Sequence, residues 1–217
     1  MRTIVVAARK GGSGKSTLTL QLALAAHLRG RNVVLADADP QRSASESMRA
    51  RSGGGPRHVE TMAANLPAIQ AQAQSYAADY LFIDTPGGPG PEAGLAMALA
   101  DLVLLAARPT FLDIAAAVRT FAEARTLGRP SLIVFTQAPP ARNGQETQTV
   151  SKAMEALQFT NLPVSPQIIR ARSVYQTSVA LGRSVEELGV AAAADEIGAL
   201  WAHVEALLAD EPQRERA

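Results

Sequence analysis

The sequence predicts an α/β fold, a doubly wound and mostly parallel sheet with helices on both faces, and three observations lead to it. Short apolar runs alternate with helix-compatible segments, the pattern of βαβ units. The first run passes through a glycine-rich turn straight into an apolar-periodic segment, so a strand, a loop and a helix follow one another. Aspartates then follow the second and third runs, at the strand ends where open α/β sheets place their ligands.

Taken in order, residues 3–8 read as a buried strand because the run is short, apolar and rich in β-branched side chains. Residues 18–28 carry apolar side chains at 18, 20, 22, 24, 25 and 28, consistent with a well-buried helix. A second buried strand is expected over 32–36 and a polar helix over 41–51. Ser52-Gly53-Gly54-Gly55-Pro56 breaks the pattern and is expected to be a flexible loop rather than a domain boundary. Three more strands are expected over 80–83, 102–106 and 131–135, with helices at about 92–100 and 112–127 between them. Crossovers between parallel neighbours should be right-handed. Over 190–209, Ile197, Leu200, Trp201, Val204, Leu207 and Leu208 share one stripe and Asp195, Glu196 and Glu205 sit opposite. That helix is expected to pack on the body of the domain, because membrane-surface helices want a basic polar face. A single domain over 1–209 and a frayed tail over 210–217 are expected.

Composition narrows the chemistry. The 217 residues are 47% hydrophobic and 19% charged, ordinary for a globular chain able to bury a sizeable core. Without cysteine there is no disulfide framework, no thiolate zinc site and no cysteine-held iron–sulfur cluster. The apolar run at the N-terminus is too short for a signal peptide, and no segment approaches the ~20 apolar residues of a membrane span. A soluble, cytoplasmic protein is therefore expected. Net charge is +1, but residues 106–183 carry nine Lys/Arg against four Asp/Glu while 184–217 carry two against eight. A face built for a polyanion and an ordinary solvated surface both fit that asymmetry. Among eighteen arginines there are only three lysines, and two of them, Lys10 and Lys15, flank one loop.

That loop is Arg9-Lys10-Gly11-Gly12-Ser13-Gly14-Lys15-Ser16-Thr17. It matches Gly-x-x-x-x-Gly-Lys-[Ser/Thr] with Arg9 in the first glycine's place, a pattern whose backbone amides wrap phosphate oxygens. Glycines let the backbone approach closely and take unusual dihedrals. The helix that follows adds its positive dipole end. Lys15 supplies a point charge for the β- and γ-phosphates, and the Ser16 hydroxyl is the expected Mg²⁺ ligand. Downstream, Asp37-Ala38-Asp39-Pro40-Gln41 ends the second strand and Ile83-Asp84-Thr85-Pro86-Gly87-Gly88 ends the third. An aspartate closing a buried strand is costly unless partnered, which points Asp84 at Mg²⁺ or its water; for Asp37, capping of an Asp-Pro turn is an equally open reading. His27, His58 and His203 are scattered and lack metal-ligand spacing.

Lys10-Gly-Gly-Ser-Gly-Lys15-Ser16 resembles the deviant Walker A signature of the ParA/MinD family of P-loop ATPases. Gln167 to Gln176 and Gly182 to Glu187 resemble the C-terminal part of partition ATPases, so the resemblance runs nearly end to end. The short chain looks like the small plasmid-partition ParA (ParF-like) type. The resemblance implies ATP and Mg²⁺ as ligands, Gly11, Gly12, Ser13, Gly14, Lys15, Ser16 and Thr17 around the phosphates, and Thr136 near the adenine. It implies that Lys10 reaches across an ATP-dependent homodimer, that Asp39 orients the attacking water, and that Asp37 and Asp84 hold the metal and its water shell. It further implies slow hydrolysis stimulated by a ParB-like or adaptor partner, non-specific DNA binding with Arg142, Arg170, Arg172 and Arg183 as candidate contacts, and a nucleoid-associated place in the cell without a membrane partner. A MinD-like membrane cycler and a P-loop ligase are the competing readings.

Overall fold

Alternation along the first strand decides the layering. In the computed structural model, which describes residues 1–88 and 90–210, β1 (Arg2–Ala7) sends Ile4 and Val6 to one face of a sheet and Val5 and Ala7 to the other, and all four are fully buried. A strand apolar on both sides must be covered on both sides, which is the condition of a parallel sheet inside an α/β layer structure. Six strands form that sheet in the order β3-β2-β4-β1-β5-β6, all parallel. They are β1, β2 (Val33–Asp37), β3 (Arg57–Glu60), β4 (Tyr80–Asp84), β5 (Leu102–Ala107) and β6 (Ser131–Phe135).

Among the described residues eight α-helices cover the two faces. The core on one side joins α1 (Lys15–Leu28), α2 (Ser43–Ala50), α7 (Ser173–Leu181) and α8 (Ala191–Asp210) to the strands. The other joins α3 (Leu66–Ser75), α4 (Pro91–Met97), α5 (Phe111–Thr126) and α6 (Gln148–Phe159). In α8, Ile197, Leu200, Trp201, Val204 and Leu208 are all buried and Leu207 is partly so, the expected packing on the body. Trp201 meets Tyr80 edge-on, with ring centroids 5.0 Å apart and planes at 84°.

Five expected strands are present with ends moved by a residue at most. The sixth, β3, was not expected: Arg57, His58 and Glu60 are exposed, and this edge strand is held by backbone pairing to β2 with only Val59 packed on the core. Its presence makes the strand ending before Thr136 the sixth in the chain, not the fifth. Helices α3, α6 and α7 were likewise not expected; α3 and α7 bury only two residues each, so their apolar period is faint, whereas α6 carries Val150, Ala153, Met154 and Leu157 at helical spacing, a signal the sequence did offer. Of the tail expected over 210–217, Asp210 is the last residue of α8, and residues 211–217 lie outside the described residues.

Candidate functional site

Register brings the strand-end residues together. Asp84 pairs with Val6 of β1 on one side and with Asp37 of β2 on the other. Neighbouring strands lie about 4.8 Å apart, so the Asp84 and Asp37 backbones stand side by side where β1 feeds its loop. The loop from Lys10 to Thr17 leaves β1 between β4 and β5, the point at which successive connections turn to opposite sides of the sheet.

The loop itself is shaped by two glycines, Gly12 at φ 72° and Gly14 at φ 82°, left-handed conformations costly for other residues. Gly14 caps α1, whose first hydrogen bond runs from the Leu18 amide to the Gly14 carbonyl at 2.9 Å. Among the described residues no amide from Gly11 to Thr17 donates to a protein acceptor, leaving a row of donors at a helix N-terminus. A side chain on Gly11 or Gly12 would meet nothing within 4 Å, so open space lies over the loop. Lys15 is 6% exposed, and a Cβ on Gly87 would come within 3.2 Å of its Nζ. The stretch after β4 therefore folds over the loop against this lysine.

The three carboxylates differ in what holds them. Both Asp37 oxygens accept backbone amides, Oδ1 from Asp39 at 3.1 Å and Oδ2 from Ser45 at 2.9 Å, so Asp37 organises the turn into α2. Asp39 Oδ1 accepts the Gln41 amide at 2.9 Å, and its residue is 9% exposed. Asp84 is fully buried; Oδ1 accepts the Thr19 hydroxyl at 3.3 Å, while Oδ2 has no hydrogen-bond partner. Burial pushes the Asp84 carboxyl up to about 7; the Ser16 hydroxyl and Lys15 pull against that, and Asp37 and Asp39 add to it. A buried carboxylate oxygen without a donor is costly unless a cation or its water completes it. Among the described residues no three His, Cys, Asp or Glu side chains form a joint metal cage. Ser16 and Asp84, whose side chains lie close enough to interact, are the groups here that could hold a cation.

Lys10 does not project freely. Its Nζ lies 3.3 Å from Asp113 Oδ2, in the same chain. Asp113 also accepts from the Thr110 hydroxyl at 2.6 Å and from Arg108 at 3.1 Å, while Thr110 caps α5. Burial alone would raise the Asp113 carboxyl, but these three donors outweigh it and hold the group below its ordinary value. Sequence reasoning missed Asp113, although Thr110-x-x-Asp113 before an apolar run is a capping signal that could have flagged it.

Thr136 is buried, and its hydroxyl donates to the Ser13 carbonyl at 2.6 Å. Beside it opens a cavity of about 720 Å³ lined by Gly14, Thr17, Gln21, Gln137, Arg170 and Tyr175 among others. The four arginines singled out from the sequence do not form one free basic face. Arg170 is paired with Glu146 and Arg172 with Glu196, both on the rim of this cavity. Arg183 donates to the Glu187 carbonyl at 3.0 Å, and Arg142 is exposed. No helix among the described residues is long and apolar enough to cross a membrane.

The model of the CobQ/CobB/MinD/ParA nucleotide-binding domain matches residues 4–185. The maintenance of carboxysome distribution protein A of Halothiobacillus neapolitanus is 29% identical over 207 residues, covering 90% of this chain and 92% of that protein. Among solved structures, an aspartate-to-alanine variant of Cyanothece McdA in complex with ATP superposes with a TM-score of 0.77 at 17% identity, over 99% of both chains. The septum site-determining protein MinD of Pyrococcus horikoshii OT3, complexed with Mg-ADP, superposes with a TM-score of 0.76 at 17% identity, over 98% of this chain and 99% of that one. At those identities the superpositions speak to the fold, whereas the matched domain spans most of the chain. Because that match runs over residues 4–185, the chain belongs to the CobQ/CobB/MinD/ParA family of nucleotide-binding domains.

Proposed function

We propose that the chain is a ParA-type ATPase that dimerises on binding ATP, grips DNA without sequence preference and thereby positions a cargo. The cargo would be a plasmid, a chromosome region or a protein cluster; the 29% identity to a carboxysome-distribution protein favours a positioning role of this kind. One observation carries the ATPase reading: a donor-rich loop with a buried lysine lies against Asp84, whose Oδ2 is buried and unpartnered. Gly11 to Thr17 would bind the phosphates through their amides, and Lys15 would set its ammonium against the β- and γ-phosphates. Ser16 and Asp84 would hold Mg²⁺, with Asp37 behind them; when bound, that ion neutralises charge on the phosphates. Asp39 would orient the attacking water through the oxygen the Gln41 amide does not occupy.

In this reading Lys10 leaves Asp113 when a second copy closes over the nucleotide, and the two lysines neutralise charge at the symmetric interface. Hydrolysis would be slow until a ParB-like or adaptor partner completes the site. Of the four arginine candidates, Arg142 is the one exposed to DNA as the molecule stands; Arg170, Arg172 and Arg183 would first have to give up Glu146, Glu196 and the Glu187 carbonyl. Localisation would be cytoplasmic and nucleoid-associated.

Size-exclusion chromatography with light scattering, with ATP or ADP, tests the switch together with phosphate release. Asp39→Ala is expected to remain dimeric with ATP while hydrolysis falls by about a hundredfold, on the scale of losing a positioned base or orienting group. Unimpaired hydrolysis in Asp39→Ala removes that residue from the mechanism, and a monomer in every nucleotide state removes the switch.

A further inference from the structure

Two residues after β6 touch the phosphate loop from behind. The Thr136 hydroxyl donates to the Ser13 carbonyl at 2.6 Å, and Gln137 Nε2 donates to the Gly12 carbonyl at 2.8 Å. Gln137 sits at φ 50°, a left-handed conformation that residues with side chains rarely adopt, and that conformation accompanies its contact with the loop. The fit is close: a Cβ on Gly14 would meet Gln137 Nε2 at 3.4 Å and Thr136 Cβ at 3.7 Å.

The pair is mounted on fixed backbone. The Ile169 amide donates to the Phe135 carbonyl at 2.8 Å, Ala138 to Ile169 at 3.1 Å, and Ala171 to Ala138 at 2.8 Å, so a neighbouring segment is stitched alongside the end of β6. In a planar trans peptide, one residue's carbonyl and the next residue's amide N–H point in opposite directions. Holding the Gly12 and Ser13 carbonyls toward β6 turns the Ser13 and Gly14 amides away from it. Among the described residues neither amide makes a hydrogen bond.

We propose that Thr136 and Gln137 are positioning residues that preset the phosphate loop through Gly12 and Ser13, rather than contacts to the base. The inference rests on reading residues 10–17 as the phosphate loop. A preset loop does not have to order itself when phosphate arrives, and that saving appears as affinity for phosphate. The single hydroxyl proton of Thr136 is committed to Ser13, so Thr136 can meet a base only as an acceptor while the brace is in place.

The test is equilibrium titration of the full chain with ADP and with base-free tripolyphosphate, for wild type, Thr136→Val, Thr136→Ser and Gln137→Leu, each checked by thermal unfolding without ligand. Thr136→Val and Gln137→Leu are expected to weaken both ligands by a similar factor, roughly five- to tenfold, the net worth of one hydrogen bond. Thr136→Ser keeps the hydroxyl and should stay near wild type. Should Thr136→Val fail to fold, Gln137→Leu at the exposed end of the pair carries the test. Unchanged affinities, or a loss confined to ADP, overturn the brace. A wild-type chain that binds ADP but not tripolyphosphate overturns it too, by placing the affinity in the nucleoside. A wild-type chain that binds neither ligand contradicts the phosphate-loop reading itself.

Discussion

At the scale of single residues, the site divides into groups that bind charge and groups that hold those groups still. Lys15 belongs to the first: it is nearly buried among donors and carboxylates, and no protein carboxylate is paired with it among the described residues. Lys15→Ala is expected to lower ATP affinity by more than about a hundredfold, as measured by titration, because a nearly desolvated charge on phosphate has no substitute. Asp113 belongs to the second. Asp113→Asn leaves the α5 cap in place but weakens the hold on Lys10, so it should raise the ATP-bound dimer fraction in light scattering. An unchanged dimer fraction would show that the Lys10–Asp113 pair does not restrain the switch. Lys10 and Lys15 were legible in the sequence because the motif is local and lysine is rare in this chain. The meaning of Asp113 was not, since it depends on α5 delivering a carboxylate to a lysine 103 residues away in the chain.

Among the elements, the contact of α2 with α7 places the tightest demands on sequence. Gly182 ends α7 at φ 61°, and a Cβ there would stand 2.2 Å from the Ser47 carbonyl oxygen and 2.7 Å from the Arg51 amide. Gly182→Ala therefore combines backbone strain with a clash against main chain, and should cost at least about 2 kcal/mol in chemical denaturation. Arg51 joins the same contact through Glu187 at 2.8 Å and the Gly182 carbonyl at 2.8 Å, with its side chain 6% exposed. Arg51→Met takes the cation from a part-buried pair and leaves Glu187 only the Ser184 amide, so it should cost about 1–2 kcal/mol, below the scale for a fully buried pair. The buried strands could be read from sequence since each is a short apolar run covered on both faces. Exposed β3 and the thinly buried α3 and α7 could not, because sheet pairing and neighbouring helices hold them more than their own apolar pattern; α6 was legible from Val150, Ala153, Met154 and Leu157 but was not expected. The same distinction applies to the arginines: the basic excess over 106–183 could be read from sequence, but the pairing of Arg170 with Glu146 and of Arg172 with Glu196 could not.

For the whole molecule, acid should act through its paired carboxylates. Burial would raise Glu187, but hydrogen bonds from Arg51 and the Ser184 amide hold it below its ordinary value. Asp113 is likewise depressed. A depressed folded-state value contributes stability that is present above the unfolded carboxylate range, near pH 4, and is lost as pH falls through the folded value. For these groups thermal unfolding should show their contribution steady between about pH 5 and 7 and declining below about pH 4, with the decline shallower in Glu187→Gln.

The parallel sheet gathers the Lys10–Thr17 loop, Asp39 and the buried Asp84 at the carboxyl ends of its inner strands, where, in the proposed function, ATP would control a DNA-gripping dimer. Binding to random-sequence duplex DNA with ATP, with ADP and without nucleotide, across a salt series, tests this most directly. Binding with ATP alone is expected, weakening steeply and log-linearly with salt, the slope counting phosphate contacts. Equal binding in all three states, or none in any, would contradict it.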